Sequence, residues 1–402
     1  MTGIDIDHFI RHRITHRPES LFTEDLRINE DRLREKIEGK KVLVIGGAGT
    51  IGSHYIKAIL PYKPGALTVV DYSENGLTEL TRDLRSKAGM IVPEEYITYP
   101  FDFGSKIFER LMDHQSFDII ACFAAHKHVR SEKDPLAIEA MIRNNVFNTY
   151  QLLQLARRNP PEHLFSVSTD KAANPVNVMG ATKKLMEMVL LAYADDIKIS
   201  TARFANVAFS NGSLLAGFID RMMKRQPLSA PSDVRRYFVS PAESGELCLI
   251  ASLLGDSGNI FFPRLHEDEM KTFSEIAELF LDSLGYTCDE CQTEEEAKQK
   301  AKNWTPAQKN YPVYFFRTDT SGEKMYEEFF TENDDPDMDS FHSLGVLRDQ
   351  PRLPIESVRK IIRRFDSLFE EEIQKEDIIR LLTEYLPDFH HIETGKLLDQ
   401  KM

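Results

Sequence analysis

No stretch constrains the fold of this chain more than "KKVLVIGGAGTIGS", from Lys40 to Ser53. A short β-branched apolar run stops at three glycines set three apart, Gly46, Gly49 and Gly52, and the helical stretch "TIGSHYIKAILPY" follows. Glycines at such a strand-to-helix turn permit a tight bend, bring the backbone against a pyrophosphate and let helix and strand pack closely. The helix start at Thr50 and Ile51 offers unpaired N–H groups to the anion. The next apolar run, "ALTVVD", ends at Asp71, about 20 residues past the last glycine, where a carboxylate accepts hydrogen bonds from an adenosine ribose and repels a 2′-phosphate. These residues predict a dinucleotide site that takes NAD in preference to NADP. Asp102, after a third strand in "YPFDFG", is either an adenine contact or a plain loop carboxylate.

Strands and helices keep alternating beyond this point. The runs "YITYPFD", "FDIIACFAA" and "HLFSVST" are apolar on both faces, and helices such as "KIFERLMDH" and "PLAIEAMIRNNVFNTYQLLQLARR" separate them. That pattern predicts an α/β fold, a Rossmann-like doubly wound parallel sheet covered by helices on both sides. Residues 41–210 are expected to form the NAD-binding domain and residues 211–344 a smaller substrate-binding region. Residues 1–40 read as a helical extension, either a dimerisation arm or a solvated helix packed on its own domain. Residues 345–402 carry two amphipathic stretches, "IESVRKIIRRFDSLFEEE" and "KEDIIRLLTEYL", that pack on their own core or on a twin subunit.

Charge and composition exclude several classes. A net charge of −14 disfavours nonspecific binding to nucleic acid or anionic lipid, while leaving room for a local basic pocket. No run approaches the roughly 20 apolar residues a spanning helix needs, and the first residues mix charges throughout, unlike a signal peptide. No membrane insertion is expected, and the cytoplasm is the expected compartment. Four cysteines fit a reducing environment. Cys288 and Cys291 form a lone CxxC without a second pair, so surface-loop cysteines are the reading and no metal is expected.

A second informative stretch is "STDKAANPVNVMGATKK", Ser168 to Lys184, which begins at a predicted strand end. Thr169, Asp170 and Lys171 set a hydroxyl, an acid and a potential base side by side, though the same residues could simply cap backbone N–H groups in a turn. Met179 and Lys183 are four apart on the following helix and share a face.

Together, "GGAGTIG", "FAAHKHVRSEKDPLAIEAMIRNNVFNT", "VSTDKAANPVNVMGATKK", "RFANVAFSNGS" and "SGEKMYEEF" resemble the extended short-chain dehydrogenase/reductase superfamily, and within it the UDP-N-acetylglucosamine 4,6-dehydratases of polysaccharide biosynthesis. In most of that superfamily a tyrosine stands where this chain has Met179, and the lysine four residues on, here Lys183, binds the nicotinamide ribose. The resemblance is to a methionine-bearing branch that relies on a Thr-Asp-Lys trio, retained as Thr169, Asp170 and Lys171. It implies that Lys171 removes the carbon 5 proton, Asp170 protonates the departing carbon 6 hydroxyl, and Thr169 orients or deprotonates the carbon 4 hydroxyl. Lysine serves as a base only if its pKa falls, which burial or a neighbouring cation such as Lys183 would promote.

The resemblance also assigns Asn206 to the UDP diphosphate and Asn145 to shaping the active site. Lys127 and His128 follow a strand end, where open α/β sheets bind ligands. In place of the family's "RPGEK" this chain has "DTSGEK", and Arg236 in "RRYF" is a candidate to replace the missing arginine. The expected partner is a UDP-sugar, and self-association into a homo-oligomer is expected from the family. Two alternatives stand beside the dehydratase: a UDP-hexose 4-epimerase, which needs no elimination machinery, and a catalytically silent nucleotide-binding scaffold.

Overall fold

The structure is a computed structural model that describes residues 4–319, 321–322 and 324–394. Its frame is a nine-stranded sheet built from β1 (Lys41–Ile45), β2 (Ala66–Asp71), β3 (Glu95–Pro100), β4 (Ile119–Cys122), β5 (His163–Val167), β6 (Ile199–Ala202), β7 (Asn259–Pro263), β8 (Pro336–Asp337) and β9 (Leu344–Leu347). The strands lie in the order β8-β9-β7-β6-β5-β4-β1-β2-β3. All pairings from β3 to β7 are parallel, while β9 joins β7 and β8 antiparallel. Every residue of β2, β4 and β5 is buried, as expected for parallel strands covered on both faces. The sheet does not end at residue 210, because β7 and β9 return to it from later in the chain.

The covering helices are α1 (Thr50–Ile59), α2 (Glu74–Ser86), α3 (Lys106–His114), α4 (Pro135–Ile142), α5 (Asn148–Ala156), α6 (Val178–Leu191), α7 (Pro241–Leu254), α8 (Ile355–Leu368) and α9 (Lys375–Tyr385). Tyr55, Ile56 and Ile59 of α1 pack with Leu247 and Ile250 of α7 on one face of the sheet. The other face holds Phe108 of α3, Leu152 of α5 and Leu185 and Val189 of α6. A third core, around Phe218, Phe280, Trp304 and Tyr311, lies under a three-stranded parallel sheet formed by Leu228–Pro231, Thr287–Glu290 and Asn310–Phe316.

Both terminal extensions bury apolar side chains against their own chain. Phe9, Ile10 and Ile14 enter the third core, whereas Phe22, Leu33 and Ile37 enter the α1/α7 face. Val358, Ile361 and Phe365 of α8 and Ile378 and Leu382 of α9 complete the α6 face. Full burial of one such side chain contributes about 1.5–3 kcal/mol, so each extension adds substantially to the core it covers. Cys288 and Cys291 are free, and among the described residues no cluster of His, Cys, Asp and Glu is arranged to hold a metal. Among the same residues, no helix is long and apolar enough to cross a membrane.

Candidate active site

The glycine turn sits where β1 lies between β2 and β4, so the chain leaves β1 at the point where the strand order reverses. Gly46 has φ +76°, and a Cβ there would meet the Ala124 backbone nitrogen at 2.5 Å. At Gly52 a Cβ would lie 2.4 Å from the Gly46 carbonyl oxygen. Only glycine lets α1 start this close to the turn. Gly49 is the N-cap and supplies no side-chain acceptor, which leaves the first N–H groups of α1 for an anion. Asp71, at the end of β2, accepts from Ala48 N (3.0 Å) and Ser73 N (2.9 Å), so its carboxylate is held over the turn. The turn and Asp71 together fit a dinucleotide. Thr50 Oγ1 accepts from Asn211 N at 2.9 Å, tying the start of α1 to a loop from the substrate side, while Ile51 packs against the α1/α7 core. Asp102 caps its own turn, accepting from Gly104 N at 2.6 Å and from Asn148 Nδ2 at 3.3 Å.

The trio follows β5 directly. Asp170 Oδ1 accepts three hydrogen bonds: from Thr169 Oγ1 (2.8 Å), Lys171 N (2.9 Å) and Lys171 Nζ (3.1 Å). α6 is capped by Asn177, whose side chain accepts from Gly180 N at 2.7 Å. A Cβ on Gly180 would stand 2.5 Å from the Lys171 carbonyl oxygen, so a glycine in the first turn of α6 is what allows the helix to abut the trio. Met179 is buried in that turn. Lys183 is buried too, donating to the Val167 carbonyl at 2.6 Å and approaching Met186 Sδ at 3.0 Å. Burial lowers its pKa to about 8.

The electrostatics of Lys171 differ from the expectation of a lysine whose pKa is pushed down. Burial acts in that direction, but the carboxylates of Asp170 and Glu327 outweigh it and its pKa is raised. Glu327 Oε1 lies 3.6 Å from Lys171 Nζ and 3.7 Å from Arg236 Nη2. Burial pushes the Glu327 pKa up. The nearby cation is therefore Arg236, while Lys183 points at the β5 carbonyl. Arg236 is itself buried, and its Nη1 donates to the carbonyls of Arg235 (2.9 Å) and Met325 (3.2 Å). In this structure Arg236 serves the Lys171–Glu327 cluster.

The remaining candidates lie around the loop after β4 and at Asn206. Asn145 is engaged on all sides: it accepts from His126 N (2.8 Å) and donates to His126 O (2.9 Å) and Thr182 Oγ1 (3.1 Å), locking the loop after β4 to α6. Lys127 Nζ donates to the Asn211 carbonyl at 2.9 Å, and His128 faces Gly212 of the same loop. Asn206 Nδ2 is buried without a hydrogen-bond partner, the kind of orphaned donor that a ligand oxygen satisfies. Of the "SGEK" stretch, Gly322 N donates to Ile392 O (2.9 Å), while Glu323 lies outside the described residues.

Sequence reasoning did not single out three buried carboxylates. Glu187 forms a fully buried, bidentate pair with Arg203 (3.0 and 2.8 Å) and accepts from Ser168 Oγ at 2.6 Å, directly beneath the trio. Arg203 also donates to the Phe329 carbonyl at 2.7 Å, which anchors the segment carrying Glu327. Glu132 accepts from Val178 N at the start of α6 and faces His391 at 4.0 Å from the C-terminal extension. Burial raises the Glu132 pKa to about 7. Glu327 and Phe329 are buried while Glu328 and Phe330 are exposed, an alternation that the residue pattern "EEFF" does not itself display.

Comparison with known proteins agrees with this geometry. Residues 42–348 match the family model described as polysaccharide biosynthesis protein. The probable polysaccharide biosynthesis protein EpsC of Bacillus subtilis is 28% identical over 76% of this chain and 48% of its own length. A UDP-N-acetylglucosamine 4,6-dehydratase (inverting) of Campylobacter jejuni is 28% identical over 56% of this chain and 67% of its own. The chain thus spans about half the length of the first of these relatives. Among solved structures, Pen from Bacillus thuringiensis superposes with a TM-score of 0.62 at 20% identity, covering 82% of this chain and 98% of that one. DesIV, a dTDP-glucose 4,6-dehydratase from Streptomyces venezuelae solved with NAD bound, gives 0.53 at 20% identity over 71% and 87%. The matched family model covers the sheet, the glycine turn, the trio and Glu327, and the chain belongs to the polysaccharide biosynthesis protein family, with the fold of an extended short-chain dehydrogenase/reductase.

Proposed function

We propose that this protein is an NAD-dependent nucleotide-sugar 4,6-dehydratase that converts UDP-N-acetylglucosamine to a UDP-4-keto-6-deoxy-N-acetylhexosamine for polysaccharide or glycan biosynthesis. The observation that carries the reading is the acid–lysine pair at the end of β5, with a threonine hydroxyl hydrogen-bonded to the acid and a methionine where a proton-transferring side chain would otherwise stand. NAD would be held by the glycine turn, Asp71 and Lys183, and when bound it supplies the transient oxidation at carbon 4 and the reduction at carbon 6. That oxidation acidifies the proton on carbon 5.

The chain's own residues move the protons. Thr169 Oγ1 takes the proton of the carbon 4 hydroxyl while passing its own to Asp170 Oδ1, 2.8 Å away. Asp170 then carries the proton that the carbon 6 hydroxyl needs to leave as water. Lys171 receives the carbon 5 proton. Asn206 offers its unpaired amide to the diphosphate, and Lys127 and His128 line the approach. A general acid or base in place is worth about 10²- to 10⁴-fold, so Lys171→Ala should lose turnover by that factor while still binding NAD.

Incubation of the full chain with NAD and UDP-N-acetylglucosamine in deuterated water, followed by NMR, tests the reading. A 4-keto-6-deoxy sugar bearing deuterium at carbon 5 supports it. UDP-N-acetylgalactosamine as product would make the enzyme an epimerase, and binding of both ligands without conversion of this sugar would refute the assignment.

A further inference from the structure

A lysine that must accept a proton is held between two carboxylates that favour its charged form. We propose, on the dehydratase reading, that Glu327 is a positioning residue for Lys171, taking a proton from its ammonium so that the amine becomes a base inside the closed cluster. The transfer breaks one Nζ–H bond of Lys171 and forms an Oε1–H bond on Glu327, turning an ion pair into a neutral pair without changing the net charge. The two atoms are 3.6 Å apart, less than an ångström beyond hydrogen-bond distance, so a small side-chain adjustment brings them together. Lys171 then takes the carbon 5 proton: the C–H bond breaks, an Nζ–H bond forms, and the electron pair moves into the carbon 4 carbonyl as an enolate. Lys171 ends as an ammonium beside that developing negative charge.

Three features make Glu327 the acceptor. It is 4% exposed, so its proton is shielded from bulk water. It is the second carboxylate beside Lys171 Nζ, the first being Asp170, whose Oδ1 is already occupied by Thr169 and the Lys171 backbone. Burial raises its pKa, which makes it a better proton acceptor than an exposed carboxylate. The charged groups facing it are Lys171 and Asp170 at the β5 end, Arg236 from the short strand Arg235–Arg236, and Lys324 of its own segment. Arg203 holds that segment in place through the Phe329 carbonyl.

Glu327→Gln keeps the size of the side chain and removes the proton acceptor. Deuterium entry at carbon 5 should slow by roughly 10²-fold or more, with UDP-sugar KM changed less than kcat. The pH profile separates this role from packing. In the native enzyme the acid limb of kcat follows Glu327, because a cluster that has taken up a further proton at low pH has no acceptor left for the internal transfer. In Glu327→Gln that limb should move to higher pH and follow Lys171, so activity is recovered on raising the pH. Glu327→Asp retains a carboxyl at a greater distance and should lose rate while keeping the native acid limb; it also serves if the glutamine variant does not fold. A glutamine variant with native kcat, or one whose rate falls without any movement of the limb, would overturn the inference. If the native enzyme itself puts no deuterium into carbon 5 of UDP-N-acetylglucosamine, the dehydratase reading fails first and this inference with it.

Discussion

Replacing Glu187 by glutamine probes the support beneath the candidate site. Glu187 and Arg203 have no exposed side-chain surface, meet through two hydrogen bonds of 3.0 and 2.8 Å, and take a third from Ser168. Glutamine preserves the shape and one acceptor but leaves the guanidinium charge buried and uncompensated. Removing one partner of such a pair costs about 3–5 kcal/mol. At about 2.1 cal/mol/K per residue, the unfolding entropy of a chain this long converts each kcal/mol into roughly 1.2 °C, so Tm should fall by about 4–6 °C. Burial alone would raise the Glu187 pKa, but Arg203 outweighs it and the pKa is lowered. The stabilisation is therefore present above the unfolded-state value of about 4.3 and is lost as pH falls through the depressed folded value. Differential scanning fluorimetry at neutral pH and near pH 4 should show the gap between native and variant narrowing on acidification. A Tm within about 1 °C of the native protein at neutral pH, or a gap that widens in acid, would refute the reasoning. Exchanging both partners together, Glu187→Leu with Arg203→Met, should recover most of the loss, because no charge is then stranded.

Other perturbations read separate parts of the structure. Gly52→Ala places a Cβ 2.4 Å from the Gly46 carbonyl oxygen, and both flanking contacts are backbone. The overpacking cost of about 1–3 kcal/mol exceeds the helix-propensity gain of about 1 kcal/mol at its upper end, and NAD affinity by calorimetry should weaken at least about ten-fold; an unchanged Kd would show the turn is not the cofactor seat. Asp71→Ala removes charge-assisted hydrogen bonds worth about 1.5–3 kcal/mol, so NAD binding should weaken about 10- to 100-fold while discrimination against NADP relaxes. Glu132 has a folded pKa raised to about 7, so its contribution to stability is full below the unfolded-state value and is lost as pH rises through about 7. Glu132→Gln, which cannot ionise, should gain thermal stability relative to the native protein between about pH 5 and pH 8, and a gap that does not grow over that range would contradict the assignment.

Much of this architecture is written locally. The continuous apolar runs of β1, β2, β4 and β5 and the glycine spacing at Gly46, Gly49 and Gly52 act through neighbours in sequence, and the structure places each where local pattern predicts. The same holds for the side-by-side placement of Thr169, Asp170 and Lys171, which needs no more than adjacency. The return of β7 and β9 to the main sheet is not legible in this way, since the pairing of Phe261 with Val346 and with Ala202 depends on partners far away in sequence.

The charge state of the site belongs to the second kind. Adjacency made Lys171 a candidate base and set beside it Asp170, the larger of the two carboxylate influences that raise its pKa; the second, Glu327, is more than a hundred positions away, and only the closed fold brings it to 3.6 Å. Arg236 and Arg203 reach the same segment from two further elements, and residue 392 of the C-terminal extension bridges Val176 at the α6 start and Gly322. Periodicity and turn chemistry depend on short-range sterics and backbone hydrogen bonding, and so a sequence by itself determined the α/β frame, the glycine turn and the adjacency of Thr169, Asp170 and Lys171. Only tertiary structure decided which carboxylate faces which cation, because Coulomb interactions and desolvation depend on distance through space and on what covers the group, neither of which is a local property of the chain.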